Sequence, residues 1–261
     1  MVAPNAAPAN TPTIIFVSFF MILVIYLLNI FNPQVFLFFS SYKNQSTMKR
    51  IFFIDLDNTI YFTKANEEQL MGELYRFLES MDLGISKEDF QLAKQEMLKT
   101  PFLKVAKKYG FKEEVMPDVI SYLQNREVTK PLKPSDDYHH IKSLIGRKFI
   151  VTAGFPKQQL SKVKMLGIAD DFEEVHVVDV SIANKKKTFE KLIDQHHLDK
   201  NDILIIGDDA ESEIKFGLEL GITTFLLDPE NLHPNAESTF RGNDLSNLHI
   251  AAGQASLRPV E

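Results

Sequence analysis

Ile51-Phe52-Phe53-Ile54-Asp55-Leu56-Asp57-Asn58-Thr59 is the stretch from which the architecture of this chain of 261 residues can be worked out. Its first four residues form an apolar run rich in β-formers, which is typical of a buried central strand in a parallel sheet. Two carboxylates, an amide and a hydroxyl follow at once. Because ligands of open α/β sheets bind just beyond the carboxyl ends of the strands, Asp55 and Asp57 are expected to take part in chemistry.

The closeness of Asp55 and Asp57 has an electrostatic consequence. Two neighbouring carboxylates cannot both be buried and ionised without a cation between them or a shared proton. A hard divalent cation meets this need at neutral pH, and Mg²⁺ suits carboxylate and water ligands. The stretch therefore predicts a magnesium site.

Helical and strand patterns alternate along the rest of the chain. Apolar residues at helical spacing predict a helix over 66–81, followed by others after Ser86, after Pro101 and over 113–124. Alternating strands and helices then predict βαβ units, and so an α/β fold with a doubly wound, Rossmann-like parallel sheet. The predicted strands are 148–152, 175–178, 203–206 and 223–227, and the predicted helices are 135–145, 156–166, 185–196, 210–220 and a short one near 245–248.

These elements divide the chain into a core and an insert. The α/β core is expected to comprise 49–65 and 131–250, with a small helical cap over 66–130. Residues 1–48 form a hydrophobic N-terminal segment and linker, and 251–261 form a tail. With 44% hydrophobic residues, the chain can bury one globular domain and such an insert.

The N-terminal segment allows two interpretations. Residues 13–31 are almost wholly apolar and long enough for a helix that crosses a bilayer. Lys43, Lys49 and Arg50 follow, so the positive-inside rule predicts a membrane anchor with the later domain facing the cytoplasm. A cleaved signal peptide fits less well, because no basic region precedes the apolar run. Translation from Met48 is an equally open interpretation and predicts a cytoplasmic protein.

The charge and the cysteine content of the chain exclude several kinds of binding partner and site. The formal net charge of −6 argues against a general nucleic-acid surface. The chain has no cysteine, which excludes a disulfide framework and a thiolate metal site.

Polar residues follow three of the predicted strands. They are Asp55, Asp57 and Thr59, then Thr152, then Asp208 and Asp209, and Lys185-Lys186-Lys187 opens the helix before the third group. Parallel strands bring such ends to one edge of the sheet. Carboxylates, hydroxyls and a cation together suit a phosphoryl group held beside magnesium, and a carboxylate there can attack phosphorus.

In this order the motifs resemble those of the haloacid dehalogenase-like superfamily of hydrolases. Asp55-Leu56-Asp57-Asn58-Thr59 resembles the first motif, Thr152 the second, the lysine-rich stretch the third, and Gly207-Asp208-Asp209 with Glu213 the fourth. A helical cap between the first two motifs is similar to the arrangement of the phosphoglycolate phosphatase-like branch. The resemblance covers about residues 49–248.

The resemblance implies a role for each matching residue. Asp55 would be the nucleophile and a Mg²⁺ ligand, and Asp57 would bind Mg²⁺ through its carbonyl and act as general acid, then base. Lys185 would hold the nucleophile and phosphate, with Lys186 and Lys187 as alternatives. Asp208 would complete the metal site, assisted by Asp209 or Glu213, and the expected phosphate ligands are Asn58, Thr59, Thr152, Ala153 and Lys185.

The sequence departs from the family pattern at two positions. Ala153 stands where Ser or Asn often follows the Thr of the second motif, which removes one side-chain donor. Glu213 stands where many members have Asp, although its longer side chain can still reach a metal.

The favoured function is a Mg²⁺-dependent phosphatase that acts on a small phosphorylated metabolite, either a nucleoside monophosphate or a sugar phosphate. A phosphotransferase such as a phosphomutase shares every motif. A 2-haloacid dehalogenase needs no acid two residues after its nucleophile, so Asp57 argues against it. The long helical insert argues against a receiver-like signalling domain. The clustered acidic residues of the motifs argue against an inactive, membrane-tethered interaction protein.

Overall fold

The computed structural model describes residues 48–179 and 184–254. The predicted N-terminal hydrophobic helix, including the anchor over 13–31, lies outside these residues, as does most of the predicted tail. None of the helices in the described ranges has the length and apolar character needed to span a bilayer.

One parallel sheet forms the centre of the protein. Its strand order is β3-β2-β1-β4-β5-β6, and every pair of neighbours is parallel. The strands are β1 (Ile51–Ile54), β2 (Arg147–Ala153), β3 (Glu174–Val178), β4 (Ile203–Gly207), β5 (Thr223–Leu227) and β6 (Phe240–Gly242). The parallel sheet and its flanking helices confirm the predicted α/β class.

The helices fall into an insert and a set that flanks the sheet. The helical insert, residues 67–125, lies between β1 and β2 and contains α1 (Glu67–Glu79), α2 (Lys87–Glu96), α3 (Phe102–Tyr109) and α4 (Met116–Asn125). The other helices are α5 (His139–Lys142), α6 (Pro156–Leu166), α7 (Lys185–His196), α8 (Lys215–Glu219) and α9 (Leu248–Ala251).

Side chains of β1 alternate between two hydrophobic clusters, one on each face of the sheet. Phe52 and Ile54 belong to a cluster that continues into the helical insert. Ile51 and Phe53 belong to the other cluster, where the Phe53 ring stacks on Phe189 of α7 with centroids 5.4 Å apart. Because β1 is buried on both faces and paired on both sides, its carboxyl end is fixed at the middle of the sheet edge.

Several elements differ from the sequence prediction. The predicted helix over 135–145 is regular only in α5, because the backbone before it forms turns in which the Tyr138 amide donates to Ser135 O and the His140 amide to Asp137 O. The predicted helix over 210–220 begins as a π-helical turn, Ala210–Ile214, before α8. The strand β6 was not among the predicted strands, and the short helix predicted near 245–248 begins at Leu248.

Candidate active site

Three adjacent strands bring the predicted site residues to one edge of the sheet. Asp55 directly follows β1 and Asp208 directly follows β4, which pairs with β1. Thr152 lies near the end of β2, on the other side of β1. The residues therefore meet because their strands are neighbours, although they are far apart in the sequence.

Lys185 connects two carboxylates from opposite parts of the chain. Its Nζ lies 2.6 Å from Asp55 Oδ1 and 2.7 Å from Glu213 Oε2, and all three side chains are buried. Of the other two lysines, Lys186 pairs with the surface residue Glu219. Among the three candidates, Lys185 is thus the one whose ammonium lies at the predicted nucleophile.

We call Asp55, Asp208, Glu213 and Lys185 the acidic pocket. One oxygen from each of its three carboxylates lies within 4.8 Å of the others. Burial raises the pKa of Asp55 to about 7, against the charge of Lys185 and with the help of Glu213 and Asp57. Burial, Asp55 and Glu213 likewise raise the pKa of Asp208 well above its usual value.

Lys185 does not neutralise this pocket. Burial lowers its pKa, but the carboxylates of Asp55 and Glu213 outweigh burial and raise it, so the ammonium stays charged. Three carboxylates around one ammonium leave an excess of negative charge, which a divalent cation with oxygen ligands offsets. The donor set of the pocket therefore fits Mg²⁺.

The backbone after β4 brings Glu213 into the pocket. Glu213 lies in the π-helical turn, a structure that often occurs at functional sites, and its Oε1 accepts a 2.8 Å hydrogen bond from the Asp209 amide. Gly207 makes room, because a Cβ there would lie 2.2 Å from Glu213 Oε1. The Asp209 carboxylate instead caps the turn by accepting from the Glu211 amide, which does not place it with the pocket carboxylates.

Asp57 has very different surroundings. Tyr61 Oη donates to its Oδ1, Lys162 Nζ lies 2.6 Å from Oδ1, and Gln159 Nε2 lies 2.6 Å from Oδ2. We call Tyr61, Gln159 and Lys162 the donor clamp. Burial raises the pKa of Asp57, but the charge of Lys162 and the hydrogen bonds of the clamp outweigh it, so the pKa is lowered.

The donor clamp was missed in the sequence. Gln159 and Lys162 lie one turn apart on α6, on the same buried face as Val163 and Leu166. Polar residues at core-facing positions of a helix are a mark of functional sites, and this pattern could have revealed two of the three donors.

The expected phosphate ligands differ in availability. Thr152 Oγ1 and the Ala153 carbonyl both accept from Gln159 Nε2, at 2.7 and 3.3 Å. Asn58 has a left-handed backbone (φ 56°), and its side chain contacts the Thr63 amide and Leu98 O. Thr59 Oγ1 donates to Asp208 Oδ1 at 3.4 Å, so its hydroxyl hydrogen is already directed to a carboxylate of the pocket.

The sequence that forms this site matches a known protein family. The family model described as haloacid dehalogenase-like hydrolase matches residues 51–227, which is more than half of the chain. The chain belongs to the haloacid dehalogenase-like hydrolases. This confirms the family predicted from the motifs, while its branch within the family stays a prediction. No curated protein sequence matches this hydrolase.

Solved structures with the same fold include enzymes of two kinds. This hydrolase is similar to YfnB from Bacillus subtilis, described as a HAD-hydrolase bound to magnesium (TM-score 0.59, 20% identity, covering 79% of this chain and 99% of YfnB). It is similar to a HAD phosphatase from Thermococcus onnurineus (TM-score 0.53, 19% identity, covering 80% of this chain and 100% of the phosphatase). It is also similar to an L-2-haloacid dehalogenase from Xanthobacter autotrophicus (TM-score 0.52, 13% identity, covering 77% of this chain and 97% of the dehalogenase). At these identities the likeness shows a shared fold.

Proposed function

We propose that this hydrolase is a magnesium-dependent phosphatase that acts on a small organic phosphomonoester through an aspartyl-phosphate on Asp55. One observation carries the proposal: the buried carboxylates of Asp55 and Glu213 share the Lys185 ammonium at the edge of the sheet, and an Asp208 oxygen lies within 4.8 Å of oxygens of both. A fourth carboxylate, Asp57, is close enough to raise the pKa of Asp55. A pocket with this excess of negative charge suits a cation and a phosphoryl group.

The acidic pocket would hold the metal through Asp55, Asp208 and Glu213, together with the carbonyl of Asp57. When bound, Mg²⁺ supplies positive charge that offsets the pocket carboxylates and the phosphate oxygens. Lys185 orients the Asp55 carboxylate through its 2.6 Å contact and adds a second positive charge near the phosphoryl group.

The covalent steps use the two aspartates in turn. An oxygen of Asp55 attacks phosphorus, the bond from phosphorus to the leaving oxygen breaks, and Asp57 in its protonated form gives that oxygen its proton. Asp57 then takes a proton from water as the water attacks the phosphorus. The Asp55–phosphorus bond breaks, which releases phosphate and restores Asp55.

Asp57 and the acidic pocket distinguish this function from that of a dehalogenase. A carbon–halogen bond needs a nucleophilic carboxylate but neither a protonated leaving group nor a metal. A phosphotransferase would use the same residues and differ only in the acceptor of the phosphoryl group. We favour water as acceptor and a nucleoside monophosphate or sugar phosphate as substrate.

A phosphate-release screen tests the proposal. The full chain is incubated with aryl phosphates, nucleoside monophosphates and sugar phosphates, with Mg²⁺ and with a chelator, and sugars are added as alternative acceptors. We expect Mg²⁺-dependent release of inorganic phosphate that the chelator abolishes reversibly. Release of halide from 2-haloacids without any phosphate release would contradict the proposal, and transfer to an added sugar would identify a phosphotransferase.

A further inference from the structure

Gln159 is a buried amide that touches two parts of the candidate site at once. It is 2% exposed, and its Nε2 lies 2.6 Å from Asp57 Oδ2 and 2.7 Å from Thr152 Oγ1. Asp57 follows β1 and Thr152 belongs to β2, so one amide group of α6 connects the carboxyl ends of two strands.

The orientation of this amide is fixed by chemistry. The Asp57 carboxylate already accepts from Tyr61 Oη and lies 2.6 Å from the Lys162 ammonium, and a carboxylate paired with an ammonium accepts hydrogen bonds. The side of the Gln159 amide that faces Asp57 must therefore be the NH₂ group. Its two hydrogens point to the two nearest acceptors, Asp57 at 2.6 Å and Thr152 at 2.7 Å, and the Ala153 carbonyl at 3.3 Å makes the weakest of the three contacts.

This orientation determines what the Thr152 hydroxyl can do. Because Thr152 Oγ1 accepts a hydrogen from Gln159, its own hydrogen is left to donate elsewhere. Within the described part of the chain, that hydrogen has no protein acceptor. A hydroxyl that must donate at the end of β2 is suited to an oxygen of a phosphoryl group, and the same amide fixes the plane of the Asp57 carboxylate.

We infer that Gln159 is a positioning residue that aligns Thr152 as a phosphate donor and Asp57 as the proton-transfer group. The inference rests on the proposed phosphatase function. It predicts that Gln159 acts on turnover through its two neighbours, without touching the substrate.

Gln159→Met tests the inference, because Met keeps the length and approximate volume of the side chain but has no donor. We expect kcat for an aryl phosphate to fall about 10–100-fold, the scale of loss caused by small misplacement of catalytic groups. The control is Gln158→Met, a neighbour on the same helix that lies outside the contacts of the site, and it should keep kcat within about twofold of wild type.

A double-mutant cycle separates positioning from a general effect on the fold. If Gln159 acts through Thr152, the loss of kcat in Gln159→Met with Thr152→Val should be clearly smaller than the product of the two single losses. Circular dichroism and the unfolding midpoint check that each variant folds. Should Gln159→Met fail to fold, Gln159→Asn keeps the amide but is too short to reach both partners, and it should show the same non-additivity.

The outcomes separate this inference from the proposed function. Multiplicative losses in the cycle, or a folded Gln159→Met with wild-type kcat, would overturn the positioning role while leaving the phosphatase function intact. A wild-type protein that releases no phosphate from any phosphomonoester would overturn the proposed function and this inference with it.

Discussion

The acidic pocket and the donor clamp surround two aspartates that are separated by one residue, yet they affect these aspartates in opposite ways. In the pocket, burial and neighbouring carboxylates raise the pKa of Asp55. In the clamp, Lys162 and two neutral donors lower the pKa of Asp57. The difference shows that the surroundings, and not the residue type, set the charge of each carboxylate.

The raised pKa of Asp55 favours its protonated form and the lowered pKa of Asp57 favours its ionised form, whereas the proposed reaction needs an ionised Asp55 and a protonated Asp57. For Asp55, a divalent cation among the three carboxylates stabilises the ionised form and restores the nucleophile. For Asp57, the clamp keeps the protonated form scarce. We therefore expect esters with good leaving groups, which need little protonation, to react fastest.

The largest effect is expected from Asp55→Asn in the acidic pocket. An amide cannot form the phosphoryl-enzyme, so kcat for an aryl phosphate should fall about 10³-fold or more. Phosphate release and the unfolding midpoint are measured together, with Asp209→Asn as control because the Asp209 carboxylate caps a turn. Near-normal turnover by a folded Asp55→Asn would contradict its role as nucleophile.

Removing the charge of the donor clamp should affect stability. Lys162→Met leaves the Asp57 carboxylate without its ionic partner, and we expect the free energy of unfolding to fall by about 1.5–3 kcal/mol. Because the lowered pKa of Asp57 stabilises the fold only where Asp57 is ionised, this loss should fade as the pH falls below the ordinary pKa of an aspartate.

Urea titrations of Lys162→Met at neutral and acidic pH measure this loss. The exposed Lys164 lies on the same helix, and Lys164→Met should unfold with the wild type. A loss that is equal for both variants would show that the pair with Asp57 does not stabilise the fold.

A smaller change is expected when the acidic pocket keeps its nucleophile but loses one ligand. Asp208→Asn should raise the Mg²⁺ concentration for half-maximal activity by about 10–100-fold, with less effect on kcat at saturating Mg²⁺. Activity measured against Mg²⁺ concentration tests this effect, again beside Asp209→Asn. An unchanged Mg²⁺ requirement would place the metal elsewhere.

The smallest expected effect is on thermal stability. Because the pKa of Asp55 is raised from 3.8 to about 7, the native state binds a proton that the unfolded chain has released between these values. The free energy of unfolding should therefore decrease as the pH rises through this window. Mg²⁺ competes with that proton, so its stabilisation should be larger at neutral than at acidic pH.

Thermal unfolding with and without Mg²⁺ at about pH 5 and about pH 7.5 measures this difference. We expect the Mg²⁺-dependent rise in Tm to be about 2–4 °C larger at the higher pH, which corresponds to about 1 kcal/mol for a protein of this size. Asp55→Asn removes the proton concerned, so its Mg²⁺ effect should vary less with pH. Equal shifts at both pH values in the wild type would contradict the linkage.

The sheet was predictable because its central strands are short apolar runs that end in Gly or Asp, as in Ile203 to Asp208. The meeting of Asp55 with Asp208 followed from strand adjacency alone. The three-residue β6 was missed because so short a segment has no periodicity to recognise. The predicted helix over 135–145 is too long because its first residues form tight turns, with hydrogen bonds that span three residues, in place of an α-helix.

Side-chain direction limited the prediction of the site. Thr59 was expected to bind phosphate, but its hydroxyl donates to Asp208 in this structure. Gln159 and Lys162 were not singled out, because polar residues on a helix usually face water, although their spacing relative to Val163 and Leu166 places them on the buried face. Sequence therefore indicated which strand ends meet, but not which helix faces them.

Gly207 makes the end of β4 an intolerant position. A methyl group at this residue would occupy the space of the Glu213 carboxylate, which is also held by Lys185 and the Asp209 amide. Glu213 would have to move away, and Lys185, which contacts both Glu213 and Asp55, would then lose one of the two carboxylates that hold it beside Asp55. Because residue 207 has only a hydrogen atom as its side chain, the carboxylates of the acidic pocket can lie this close together, and attempts to redesign this hydrolase should leave that position unchanged.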